Sequence, residues 1–199
     1  MVSQKNKLHD LLMEVRACEI CAPDLPLGPR PTVVAKSSAK IMIIGQAPGT
    51  KVHETGIPWS DPSGDRLRNW LRVTREIFYD GSKIAIMPMG FCYPGRLERG
   101  GDNPPRPECA PAWHEKILAG LPDIELTLLV GMYAQKYYLA EQNKKTLTET
   151  VRHWQDFVPA MIPTPHPSWR TTAWLKKNLW FEAELLPVLQ QKVRKLLEG

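Results

Sequence analysis

Three groups of residues in this chain have the types and spacing to do chemistry. Cys18, Cys21, Cys92 and Cys109 form a Cys-x2-Cys pair and a widely spaced second pair. A Cys-x2-Cys turn at a helix end lets two thiolates face one centre, and two more from a later loop complete four-sulfur ligation. Zinc and a 4Fe–4S cluster share that donor set. The second pair lacks the short knuckle of common zinc sites, which favours iron–sulfur. Four unrelated core thiols are the plainer alternative. Against it, every cysteine falls in a proline-rich loop and none in an apolar strand.

The second group is Gly45-Gln-Ala-Pro-Gly49, directly after an apolar run. Two glycines and a proline in five residues make a tight turn exposing backbone N–H groups, which can hold a carbonyl, a phosphate or a water. An ordinary strand-to-loop turn reads the same way when taken alone. The third is Thr164-Pro-His166-Pro-Ser168-Trp-Arg170. A histidine between two prolines sits on a stiff backbone suited to presenting an imidazole in a cleft. Ser168 and Arg170 are natural phosphate contacts. A surface turn with an incidental histidine is the competing explanation.

The elements that must position these groups follow from periodicity. Gln4 to Ala17 carries leucines at helical spacing and reads as a helix ending at the first cysteine pair. Lys40–Gly45, Lys83–Pro88, Glu125–Gly131 and Val158–Pro163 are short apolar runs, each read as a buried strand. A loop to Pro62 is expected, then a helix capped by Ser63 and running to about Thr74. Further helices are expected over Pro111–Ala119, Tyr133–Gln142 and, as one long element, Thr171–Leu197. Alternating strands and helices predict a single α/β domain over residues 1–199: a three-layer αβα sandwich around a mostly parallel four-stranded sheet. Ligands of such sheets bind outside the carboxyl ends of the strands, which points to the loops after the first, second and fourth strands.

Composition narrows the class. Hydrophobic residues at 43% and charged residues at 24% are ordinary for a globular protein, and the net charge of +5 leans toward polyanionic partners. No apolar run approaches the roughly 18 residues of a membrane span, and the first residues lack a signal-peptide core. A cytoplasmic location, no membrane partner and a monomer are the expectations.

The Gly-Gln-Ala-Pro-Gly turn, the His-Pro-Ser motif and the four cysteines, in this order and spacing, resemble the uracil-DNA glycosylase superfamily. The similarity is closest to its iron–sulfur branch, often called family 4, and covers the chain from Cys18 to the C-terminal helix. The resemblance implies hydrolysis of the base–sugar bond of uracil or another deaminated base flipped out of DNA, as in base excision repair. It implies that backbone N–H groups at Gln46 and Ala47 grip the base beside Gly45, and that His166 donates to the charge developing on the leaving pyrimidine. Thr55-Gly-Ile-Pro-Trp59 matches a segment whose aromatic residue stacks on the extruded base, a contact worth about 1–3 kcal/mol. Ser168, Trp169, Arg170 and Lys176 would meet DNA, and Cys18, Cys21, Cys92 and Cys109 would hold the 4Fe–4S cluster.

Three positions depart from the branch. Gln46 stands where it usually has Glu. Ala47 carries no carboxylate to activate water, with His53, Glu54 and Asp61 as nearby substitutes. Pro88 stands where the branch has an Asn that reads the uracil edge. These departures keep a second possibility open, a non-catalytic nucleic-acid-binding member of the same fold. A third is a metal-bearing enzyme acting on small nucleobase compounds. Trp113, Trp154 and Trp180 read as core, Arg96, Arg99 and Arg106 as a basic loop cluster, and His9, His114 and His153 as ordinary surface or helix histidines.

Overall fold

The computed structural model describes residues 4–98 and 100–198, so Arg99 of the basic loop lies outside the described residues. In chain order, α1 (Gln4–Arg16) leads past the first cysteine pair to β1 (Ile41–Ile44), α2 (Thr50–Thr55), α3 (Pro62–Leu71), α4 (Arg75–Tyr79) and β2 (Ile84–Ile86). After the loop with the second cysteine pair come α5 (Glu115–Ala119), β3 (Leu126–Val130), α6 (Met132–Leu139) and α7 (Leu147–Arg152). The chain then forms β4 (Met161–Thr164), α8 (Thr171–Lys177) and α9 (Leu186–Glu198). Wider π-type turns, Ala110–His114 and Phe181–Leu185, run directly into α5 and α9.

The four strands pair in parallel in the order β2-β1-β3-β4. Successive side chains of a strand point to opposite faces, and here both faces are apolar. Met42, Ile44, Ala85 and Leu129 pack with Leu8 and Leu12 of α1, Ile117 of α5 and Ala134 of α6. Ile41, Ile43, Ile84 and Leu128 pack on the other side with Leu67 of α3, Phe78 of α4, Val151 of α7 and Leu189 of α9. The result is the expected three-layer αβα sandwich. From β1 the chain passes to β2 on one side and then to β3 on the other, so the carboxyl ends of β1 and β3 flank a topological switch point, where open α/β sheets leave a crevice.

Four expectations need correction. The segment after Gly49 is not all loop, because Thr50–Thr55 turns once as α2. The cap of α3 is Asp61 rather than Ser63: its carboxylate accepts the Gly64 amide at 3.0 Å with Pro62 at the first helical position. That helix stops at Arg72, in the left-handed region, and Thr74 caps α4 instead. The long C-terminal helix is two helices. Asn178 breaks it with an extended-side backbone (φ −129°, ψ 58°), its side chain donating to the Trp174 carbonyl and accepting from the Trp180 indole.

His114 is not a surface histidine. It is 2% exposed, stacked near Phe91, and its ring nitrogens lie 2.7 Å from the Tyr138 hydroxyl and 3.2 Å from the Pro88 carbonyl oxygen. A carbonyl can only accept, so Nε2 carries the proton and the Tyr138 hydroxyl donates to Nδ1. Both nitrogens of a neutral ring are thereby used. Burial pushes the His114 pKa down to about 4. The unfolded chain protonates this group near 6.5 while the native state keeps it neutral, so its contribution is intact above that pH and is lost as pH falls toward 4. We expect stability to drop by up to about 3 kcal/mol across that window. Urea unfolding at stepped pH should show a shallower acid slope for His114→Gln than for the wild-type protein.

Candidate functional site

A cleft of about 520 Å³ opens at the carboxyl end of the sheet, at the switch point. Its walls bring together most of the residues singled out in the sequence: Gly45, Gln46, Ala47 and Gly49 after β1, Pro88 after β2, and His166, Ser168, Trp169 and Arg170 after β4. Trp59 and Asp61 close it from the segment before α3, and Arg96 and Asp102 from the loop between the later cysteines. Lys176 and Lys177 are exposed on α8 but do not line it, and neither do the four cysteines, His53 or Glu54.

The turn after β1 is tied down by its carbonyls. Met89 donates to Gly45 at 2.9 Å and Gly90 to Gln46 at 3.0 Å, which locks the loops after β1 and β2 side by side. Among the described residues, the Gln46 and Ala47 amides donate to no other backbone carbonyl. They remain available to a bound group. Pro88 offers no N–H, and its carbonyl accepts from His114, so its ring presents an apolar floor.

Trp59 takes a left-handed backbone (φ 57°), which costs a bulky residue about 1–3 kcal/mol unless its surroundings enforce it. They do. The Tyr79 hydroxyl donates to the Trp59 carbonyl at 3.1 Å and the Arg68 guanidinium at 3.2 Å. Arg68, 6% exposed, is itself held by Asp65 at 2.6 Å and lies over the rings of Phe78 and Tyr79. Two glycines make the room. A Cβ on Gly64 would fall 1.8 Å from the Trp59 carbonyl oxygen, and one on Gly45 would fall 2.7 Å from the indole ring. The indole therefore brings its Cζ2 edge against the β1 turn at Gly45, its centroid 5.5 Å from the His166 ring and tilted by 31°.

His166 is fixed from several sides. Thr171 donates its hydroxyl to the His166 carbonyl, and Arg66 donates to the Ser168 carbonyl at 2.7 Å and the Thr172 hydroxyl at 3.0 Å. Below it, Gln135 of α6 bridges the ends of β3 and β4 through the Leu129 and Thr164 carbonyls. Burial holds the imidazole below its ordinary pKa, opposed in part by the Asp61 carboxylate, so the ring is neutral at pH 7 and can donate one hydrogen bond. Trp169 is 77% exposed at the lip, with the Arg170 guanidinium 5.4 Å over its ring. Sequence reasoning missed Arg66, Arg68, Gln135 and Asp102. The one local signal was Asp61-x-x-Gly64 at the helix start.

The cysteines gather elsewhere. Cys21 and Cys92 pack with Leu25, and Cys109 is buried nearby, while Cys18 is half-buried. Burial pushes the Cys92 thiol up to about 11 and Cys109 to about 12, and the other thiolates add to both shifts. The four sulfurs thus share one neighbourhood, yet among the described residues no three His, Cys, Asp or Glu groups surround a point where a single ion could sit. Arg106 clamps this region by pairing with Asp24 and Glu108.

Because Gly64 faces a backbone oxygen that cannot move aside cheaply, Gly64→Ala should cost about 3 kcal/mol of stability. It should also displace the Trp59 indole. Urea unfolding and tryptophan fluorescence together check this; unchanged values in both would contradict the described packing.

The profile of the uracil DNA glycosylase superfamily matches residues 31–190, a span that holds the whole sheet and every wall of the cleft. Among the described helices none is long and apolar enough to cross a membrane. With the parallel sheet, the glycine turn after β1 and the rigid histidine after β4 all inside the matched span, the chain belongs to the uracil DNA glycosylase superfamily.

Proposed function

We propose that the protein is a monofunctional DNA glycosylase that hydrolyses the N-glycosidic bond of uracil or another deaminated base flipped out of DNA. The observation that carries this reading is the neutral His166 imidazole, tilted 31° to the Trp59 indole at 5.5 Å, in a cleft of about 520 Å³ that the glycine turn after β1 also lines. In this reading the Gln46 and Ala47 amides hold the base beside Gly45. The Trp59 indole covers its face over the Pro88 floor. His166 donates to the oxygen on which negative charge grows as the bond to C1′ breaks, a role suited to a preorganised donor in a dry site. A neutral donor does this without first releasing a proton. Ser168, Trp169 and Arg170 at the lip, with Lys176 farther out on α8, meet the flanking phosphates and the gap left in the stack.

Cys18, Cys21, Cys92 and Cys109 would hold a 4Fe–4S cluster in this reading, with zinc as the alternative for the same donor set. What supports it is the shared neighbourhood of the four thiols, together with the wide spacing of the second pair, which lacks the short knuckle of common zinc sites. The cluster would supply a cross-link between the end of α1 and the loop that forms one wall of the cleft.

The decisive assay incubates the protein in excess with oligonucleotides carrying uracil, hypoxanthine or xanthine, single-stranded and mismatched, and measures free base. Release of at least one is expected, and release of none overturns the reading. His166→Ala should lower the single-turnover rate by about 10²–10³-fold while DNA binding changes little. Purified protein should be brown, with broad absorbance near about 400 nm, and colourless protein containing zinc would overturn the cluster assignment.

A further inference from the structure

Hydrolysis of a glycosidic bond needs more than a stabilised leaving group. Water must attack C1′, and its proton must go to a base in the same cleft. The cleft offers three proton acceptors: His166, Asp61 and Asp102. His166 faces the leaving base in the reading above. Asp61 spends one carboxylate oxygen on the Gly64 amide as the cap of α3. Asp102 is different. None of the ion pairs among the described residues uses it, since they engage Asp24, Asp65, Glu108, Asp156 and Glu184.

Its placement is specific. Arg96 and Asp102 form an antiparallel bridge, and Leu97 donates to the Gly101 carbonyl at 2.9 Å, which sets residues 96–97 against residues 101–102. The loop rests on the opposite wall: a Cβ on Gly101 would lie 3.1 Å from the Arg170 guanidinium. Asp102 is thereby carried to the rim of the cleft, and its Oδ2 lies 3.5 Å from where a Cβ on Gly49 would stand. The carboxylate thus reaches the glycine turn from across the cleft, where Ala47 itself brings no acid.

We propose that Asp102 is the general base that activates the hydrolytic water, an inference that rests on the glycosylase reading. The water oxygen forms the new bond to C1′ as the C1′–N bond breaks. The electron pair leaves with the base, and the released proton passes to the Asp102 carboxylate. Charged and titratable groups face it from every side: Arg96 on its own loop, Arg170 after β4, Asp61 before α3, and His166 within the cleft. Asp102 is exposed at the rim, yet partial desolvation and Asp61 raise its pKa against the pull of Arg96 and Arg170, which makes it a better proton acceptor than an ordinary aspartate. Only the ionised form can accept the proton, so the rate should fall on the acid side as Asp102 protonates.

The test compares wild type, Asp102→Asn, Asp102→Glu and Asp61→Asn in single-turnover base release from a uracil-containing strand between about pH 4 and 9. Anisotropy on an oligonucleotide with an abasic site measures binding. Asp102→Asn should lose about 10²-fold or more in rate, keep wild-type binding and lose the acid limb. Asp102→Glu should recover part of both. An Asp102→Asn rate within about threefold of wild type overturns the proposal. So does loss of binding in parallel with rate, or an acid limb that vanishes in Asp61→Asn while persisting in Asp102→Asn. Wild-type protein that binds DNA but releases no base overturns the glycosylase reading, and this one with it.

Discussion

A buried guanidinium donating to one carbonyl organises the site. Arg68 gives up its hydration to hold the Trp59 carbonyl, and a cation this deep is tolerated only because Asp65 pairs with it and two rings cover it. Asp61, Gly64, Asp65 and Arg68 lie at three- and four-residue spacing, on neighbouring positions of one helix face. The element that caps α3 is therefore the element that sets the indole. From there the consequences are geometric. The ring edge fits against the turn only because residue 45 has no Cβ, and His166 lies 5.5 Å from that ring.

The sheet was legible in the sequence because strands buried on both faces leave unbroken apolar runs. Ile41–Ile44 and Leu126–Val130 announce themselves that way. The glycine turn and the histidine between prolines were legible because glycine and proline mark the backbone directly. Short helices such as α2 and α7 were not, since one or two turns carry too little periodicity to separate from loop. The break at Asn178 was hidden because Trp174, Phe181, Leu185 and Leu189 recur at seven- and four-residue spacing across it, and only tertiary packing decides against continuity. His114, Arg68 and Asp102 were misread or unseen for a common reason. Each acts through a partner that only the fold brings near, Trp59 for Arg68, Pro88 for His114 and the glycine turn for Asp102, and residue type alone gives no hint of that register.

The cysteine loop joins two parts of the molecule that the sequence presents as separate. Cys92 and Cys109 anchor its ends in buried positions near Cys21, and Arg106 ties it to Asp24. Its middle meets Arg170 on the far wall and forms part of the cleft. Under the cluster proposal, a group bridging the four thiols would therefore also fix a wall of the site without lining it, and would act on the cleft through loop order alone.

The floor of the cleft bears on selectivity. At Pro88 there is no side-chain amide, and the carbonyl that could have faced a base accepts from His114 instead. A site that hydrogen-bonds a distinctive edge rejects the wrong ligand by leaving its own buried groups unpaired, whereas an apolar wall discriminates only about 10–200-fold per methylene. Under the glycosylase reading, recognition falls to the Gln46 and Ala47 amides, which see a carbonyl oxygen, and to the Trp59 face, which sees any planar ring. Both features are common to uracil, hypoxanthine and xanthine. On that reading, the lack of a side-chain amide at residue 88 leaves a pocket suited to deaminated, carbonyl-bearing bases as a class, with the energetic cost of extruding a base from a stable pair supplying the remaining choice.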